Sequence, residues 1–172
     1  MNLPRKDASV NNADKENHKT DIEMRKIKYI VVHCSAGVQS QKAKDVVYYH
    51  TGPKTKGCLG WSAPGYHYIV EADGTVVNTW PDDKISNGVK GHNHESINIC
   101  WIGGYHSVDN RTTAQKHSLI NLIKKLKEKY PDAKVLGHRD FSDDTNHNNI
   151  IDPWERIKDC PCFDAIPEYK YI

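Results

Sequence analysis

Histidine and cysteine are the side chains most able to hold a metal, and this chain carries ten of the first and five of the second. His33 closes a β-branched run, His138 follows the short run Lys134 to Gly137, and Cys160 and Cys162 flank a proline late in the chain. Two imidazoles and one of these thiolates would supply the three protein ligands of a catalytic zinc, whose fourth position stays open for water. Either sulfur of the Cys-x-Cys pair could reach such an ion. Because the ligands lack the local spacing of a zinc finger, only the fold can gather them. Five cysteines cannot all pair within one chain, and a domain of this size folds without staples, so a disulfide framework is not expected.

A second constellation occupies the polar stretch before Cys160. Asp144, Asn146, Asn148, Ile150 through its carbonyl, Asp152 and Glu155 fall at places 1, 3, 5, 7, 9 and 12 of an EF-hand-like loop. All offer oxygen, as Ca²⁺ requires. Ile151 fills the apolar eighth place, while Asn149 stands at the sixth, where left-handed backbone is needed and asparagine is the next best residue to glycine. A structural calcium would brace the segment leading to Cys160; the alternative is a polar insertion whose acids are simply solvated.

The elements that must position these groups are legible from periodicity. Residues 27–33, IKYIVVH, read as a buried strand, since short β-branched runs suit a sheet covered on both faces. Residues 40–50 suit a helix with Ala43, Val46, Val47 and His50 on one face. Tyr66 to Glu71 and Thr75 to Trp80 are strand-like and joined through Asp73-Gly74, a hairpin signal. Residues 96–102, SINICWI, form another buried strand. Thr112 and Gln115 make a capping box that opens a helix with the stripe Leu119, Leu122, Ile123, Leu126 and Tyr130, stopped by Pro131. Strands interleaved with helices predict a single α/β domain, a central mixed sheet flanked by helices with the metal site at strand ends.

Composition narrows the partners. With 172 residues and 37% hydrophobic content, one modest core is expected. Twenty-four Lys and Arg against 22 Asp and Glu leave +2, too balanced for a nucleic-acid binder. The longest apolar run, YIVV, is far short of a bilayer span, and no apolar segment follows Met1, so neither membrane insertion nor a signal peptide is expected. Synthesis in the cytoplasm follows. Residues 1–26 mix six basic and five acidic residues with isolated apolar ones and read as a flexible polar arm, with the folded domain over 27–172.

The ordered series VVHCSAG, GWSAPGYHYIV, DGTV, KGHNHESINICWIGG, TTAQ, GHRD and KDCPCFD resembles the zinc-dependent N-acetylmuramoyl-L-alanine amidases of type 2, the superfamily of phage lysozyme-type amidases and peptidoglycan recognition proteins. It covers roughly residues 27–165. The resemblance implies one Zn²⁺ per chain on His33, His138 and Cys160, with Tyr66 and Lys158 as the catalytic side chains. It implies a substrate too: peptidoglycan, a glycan strand with its stem peptide, cut between N-acetylmuramic acid and L-alanine by a monomer acting on the wall after release or export. A thiolate and two neutral imidazoles leave such an ion with net positive charge, so its water would ionise near neutral pH. Lys158 would stabilise the developing oxyanion, and Tyr66 would hydrogen-bond the water or the scissile carbonyl. His94 lies in a segment that lines the substrate groove in such amidases. His67 and His50 read as packing histidines, Cys34 and Cys100 as core.

Two departures from the family pattern stand out. Many relatives place a histidine where this chain has Gly88, which alters the expected substrate contacts at that edge. Relatives that recycle anhydro-muropeptides typically carry glutamate at Cys100 and aspartate at Cys160, so this chain falls with the lysozyme-type branch. The competing readings are a non-catalytic muropeptide-binding module in the same groove and a regulatory partner protein.

Overall fold

The computed structural model describes residues 25–172. Most of the expected N-terminal arm, residues 1–24, lies outside them. Among the described residues five strands form one mixed sheet: β1 (Tyr29–Cys34), β2 (Tyr68–Val70), β3 (Val76–Asn78), β4 (Ser96–Trp101) and β5 (Lys134–Gly137), in the order β3-β2-β4-β1-β5. β1 runs parallel to both β4 and β5, and only the β2–β3 hairpin is antiparallel. The α/β architecture expected from the sequence is therefore present. Among the described residues no helix is long and apolar enough to cross a membrane.

Side chains alternate across β1 and β4, so each strand feeds two different interiors. Ile30, Val32, Ile97, Ile99 and Trp101 pack on one face against helix α2 (Thr113–Lys129) and helix α3 (Ala165–Tyr169). Ile69, Cys100 and Ile102 pack on the other against Ala43 and Val46 of helix α1 (Ala43–Thr51). Both faces are covered, which is why the two central strands read as continuous apolar runs.

α2 begins where its capping box predicts. The Thr112 hydroxyl accepts the Gln115 N–H at 3.0 Å, and the Gln115 side chain accepts the Thr112 N–H at 3.0 Å. Its fully buried amide also donates to the carbonyl of Ile102 at 2.8 Å, tying the helix to the end of β4. α1 is tied to the sheet through charge: the buried carboxylate of Glu71, just past β2, accepts the Ala43 N–H at 2.9 Å and the Lys42 ammonium at 2.8 Å, an acid at a helix N-terminus.

The strand expected from Tyr66 starts two residues later. The chain bends at His67, whose N–H donates to the Asn98 carbonyl at 2.8 Å, so Tyr66 precedes β2 and reaches the strand ends instead of extending the pleat.

Candidate metal centre and groove

His33 is the fifth residue of β1, His138 directly follows the parallel strand β5, and Cys160 lies on the return segment before α3. The fold brings all three together, with their ligand atoms within 4.8 Å of one another. The two Nδ1 atoms are 3.1 Å apart, and the Cys160 sulfur is 3.8 Å from Nδ1 of His33. In a zinc tetrahedron with bonds of about 2.0 Å to nitrogen and about 2.3 Å to sulfur, those separations are about 3.3 and about 3.5 Å. The donor set therefore fits one small ion without large movement.

The tautomer of His33 is fixed from behind. Its Nε2 lies 2.9 Å from Oδ1 of Asn98, which can only accept, so Nε2 carries the proton and Nδ1 presents its lone pair to the site. The Asn98 amide is oriented in turn by donating to the Ser86 hydroxyl at 3.0 Å. His67 closes this layer: Nδ1 accepts the Asn98 N–H at 2.9 Å and Nε2 donates to the Lys84 carbonyl at 3.0 Å. It is a fully buried, satisfied histidine, as its sequence position suggested. Room for Asn98 comes from Gly88, where a Cβ would sit 2.3 Å from the Asn98 amide. Gly88 is thus matched to the asparagine that holds His33.

Backbone contacts hold the other ligands. The Arg139 N–H donates to the Cys160 carbonyl at 2.8 Å, linking the turn of His138 to that of Cys160, and the Cys34 N–H points at the Cys160 sulfur at 3.2 Å. The Trp101 indole donates to the Pro161 carbonyl at 3.2 Å. Cys162, the rival ligand, turns elsewhere: its sulfur lies 3.4 Å from that of Cys34.

Electrostatics suit neutral ligands. Burial, then repulsion from His138 and Lys158, holds His33 well below the ordinary histidine value, and burial with Lys158 pulls His138 down to about 4. Burial pushes the Cys160 thiol up, so a metal must displace its proton on binding. Tyr66 lies beside His33, ring centres 5.0 Å apart, and burial followed by the nearby cysteine sulfurs raises its phenol well above the ordinary value. It stays a hydroxyl donor. Its far side rests on His50, whose ring stacks on Trp61 at 5.0 Å and accepts the Gly65 N–H at 3.1 Å, a packing role that steadies Tyr66.

The metal corner opens into a groove of about 690 Å³ lined by Trp61, Lys90, His92, Asn93, His138 and Lys158. Lys158 is exposed there. His94, the sequence-based candidate for substrate contact, is not part of this lining. The short helical turn Asn93–Glu95 swings its exposed ring to the side of Glu95, Nε2 to Oε2 3.8 Å, and presents His92 and Asn93 instead.

The loop of Asp144, Asn146, Asn148, Ile150, Asp152 and Glu155 is closed by its own hydrogen bonds. Asp144 accepts the N–H groups of Asn148 and Asn149, Asp152 accepts the amides of Asn146 and Asn148, and Glu155 accepts the N–H groups of Thr145 and Asp152. Asn149 adopts left-handed backbone, φ 64°, as the sixth place demands. Among the described residues, the three or more His, Cys and acidic ligand atoms that converge are those of His33, His138 and Cys160.

A family model described as N-acetylmuramoyl-L-alanine amidase matches residues 23–161. The chain belongs to this family. It is 32% identical over 141 residues to the endolysin of Escherichia phage T7, covering 78% of this chain and 80% of that one, and 30% identical over 141 residues to the endolysin of Klebsiella phage KP32, with the same coverage. An uncharacterized protein of Haemophilus influenzae is 42% identical over 97 residues, 54% of this chain and 84% of its own. The fold is shared with the N-acetylmuramoyl-L-alanine amidase LysC of Clostridium intestinale, TM-score 0.62 at 23% identity, covering 84% and 83% of the two chains. It is shared equally with Drosophila PGRP-LB, TM-score 0.61 at 20% identity over 84% and 80%.

One feature of this amidase-family chain had no signal in its sequence. Arg25, counted above with the arm, sends its guanidinium into a ring of carbonyls: Asp82 at 2.7 Å and Lys84 at 2.6 Å through Nη1, Asn93 and Ser96 at 2.7 Å through Nη2, and His94 at 3.2 Å through Nε. It ties together the two turns that flank the groove wall of residues 87–93. Backbone acceptors leave no mark in a sequence, so only the fold reveals this clamp.

Proposed function

We propose that the protein is a zinc-dependent N-acetylmuramoyl-L-alanine amidase that works as a monomer on bacterial peptidoglycan, reaching the wall after release or export. The observation that carries this reading is the convergence of His33, His138 and Cys160, with His138 and Lys158 lining an open groove, in a chain that belongs to the amidase family. A Zn²⁺ ion on these three residues supplies Lewis acidity and a water that ionises near neutral pH.

The chain's own residues do the rest. Asn98 keeps the proton of His33 on Nε2, so that Nδ1 is free to ligate. Lys158, on the groove beside His138, neutralises negative charge that develops on the scissile carbonyl oxygen. Tyr66, a protonated phenol beside His33, donates a hydrogen bond to that carbonyl or orients the water. Trp61 and His92 offer flat faces along the groove for the glycan and its stem peptide. Calcium in the loop of residues 144–155 rests on the spacing of its oxygen donors and on the left-handed Asn149 alone.

The test is release of L-alanine N-termini from purified peptidoglycan, with and without a chelator and with zinc restored. Zinc-dependent release supports the amidase. A folded, zinc-loaded protein that binds peptidoglycan but releases nothing would overturn it in favour of a binding module.

A further inference from the structure

We propose that Cys34 and Cys162 form a disulfide pair, and that oxidation by a small-molecule disulfide links strand β1 covalently to the turn that follows Cys160. All five cysteines are free thiols, and these two sulfurs lie 3.4 Å apart, so closing to a bond of about 2.0 Å needs a short approach within one packed slot. The slot is roofed by bare backbone. A Cβ on Gly104 would come within 2.7 Å of the Cys34 sulfur and 3.1 Å of the Cys162 sulfur, so the glycine leaves the pair its space.

Cys58 and Cys100 have other surroundings, and Cys160 borders the pair through the backbone of Cys34. Cys100 is fully buried on the α1 side of the sheet, and Cys58 stands beside Gly52 at the end of α1. The Cys160 sulfur faces Nδ1 of His33 and takes the Cys34 N–H, which commits it to the metal corner. Of the pair, Cys162 is the more exposed and Cys34 the more buried, which assigns their order of reaction. The Cys162 sulfur attacks the reagent disulfide and releases one thiol. Cys34 then attacks the mixed disulfide at Cys162 and releases the second; each departing thiolate takes up the proton lost by the attacking thiol. Two protein thiols and one reagent disulfide become one protein disulfide and two reagent thiols. In a compartment kept reducing by thiols the pair stays open, and in an oxidising medium it closes.

The link would tie the strand that carries His33 to the turn that carries Cys160, bracing two of the three metal-ligand positions against separation. The test treats the intact zinc-loaded protein with oxidised glutathione and maps its peptides without reduction. A Cys34–Cys162 peptide should appear with loss of two hydrogens, zinc should be retained, and transfer of zinc to a competing chelator should slow severalfold. Cys162→Ser and Cys34→Ala should each abolish the linked peptide and the slowing. A loaded protein that forms no such peptide, or one that links Cys160 and sheds its zinc, would overturn the proposal. Because the readout is a peptide and a metal-release rate, its failure is distinct from failure of the amidase reading.

Discussion

The two faces of the central sheet are built from the same strands and do opposite work. Toward α2 and α3, Ile30, Val32, Ile97, Ile99 and Trp101 meet Leu119 and Ile123, all fully buried and all but the Trp101 indole without a polar atom. Toward α1, beside the apolar contacts of Ile69, Cys100 and Ile102, the intervening residues His33 and Asn98 are equally buried, yet each is fixed by directed hydrogen bonds, with His67 beneath them. The apolar face is non-directional and resists unfolding through area removed from water. The polar face has no slack, since one lost partner strands a buried donor or acceptor. Alternation along a strand thus lets stability and chemistry be changed separately.

Substitutions can test that separation. Removal of a ligand has the largest expected effect: Cys160→Ala or His138→Ala should abolish stoichiometric zinc in metal analysis and amidase activity with it. The contrasting change, Ile99→Ala on the apolar face, should cost about 2–5 kcal/mol in denaturant unfolding while zinc stoichiometry is kept. Loss of zinc in that variant would show that the faces are coupled after all. Lys158→Ala should keep zinc and lower turnover by about 100- to 1,000-fold, the scale for one group that stabilises an oxyanion.

Asn98→Ala sharpens the comparison, because it alters only what stands behind a ligand. Zinc affinity, measured by competition with a chelator, should fall about 10- to 100-fold. Gly88→Ala should move it the same way, since the added methyl carbon would collide with the Asn98 amide.

Proton linkage should show on the polar face through its two histidine ligands. In the zinc-free protein the folded-state values of His33 and His138 lie below the ordinary 6.5, that of His138 at about 4. The unfolded chain therefore binds more protons between those values, and stability is lost as pH falls from about 6.5 toward 4. Denaturant midpoints of the zinc-free protein taken across that range check the sign; a midpoint that rises on acidification would contradict it. The smallest effect concerns the loop of residues 144–155. Calcium added after chelation, with zinc restored, should raise the melting temperature slightly, and no shift removes the support for calcium there.

Much of this was legible because its signals are local. The five strands and the Thr112–Gln115 cap follow from periodicity and capping chemistry, and the ligands from their place in an ordered family pattern. Asn98 inside SINICWI carries a weaker signal: asparagine is depleted in strands and, when buried, must find a partner. The place of Tyr66 outside β2 is not legible locally, because the His67 N–H beside it bonds the Asn98 carbonyl of another strand. The surroundings of Arg25 leave no local signal, since the turns that bind it are set by long-range backbone contacts.

The parallel pairing of β1 also governs how the protein is made. Both of its neighbours, β4 and β5, come later in the chain, the second more than a hundred residues on. As translation proceeds, this most apolar strand leaves the ribosome with two open edges and no partner until much of the polypeptide has followed. Between synthesis of Tyr29 and synthesis of Gly137, self-association therefore competes with the correct pairing. A lower rate of initiation reduces the number of such incomplete chains present at once, and so should raise recovery in a way that stabilising the finished sheet would not.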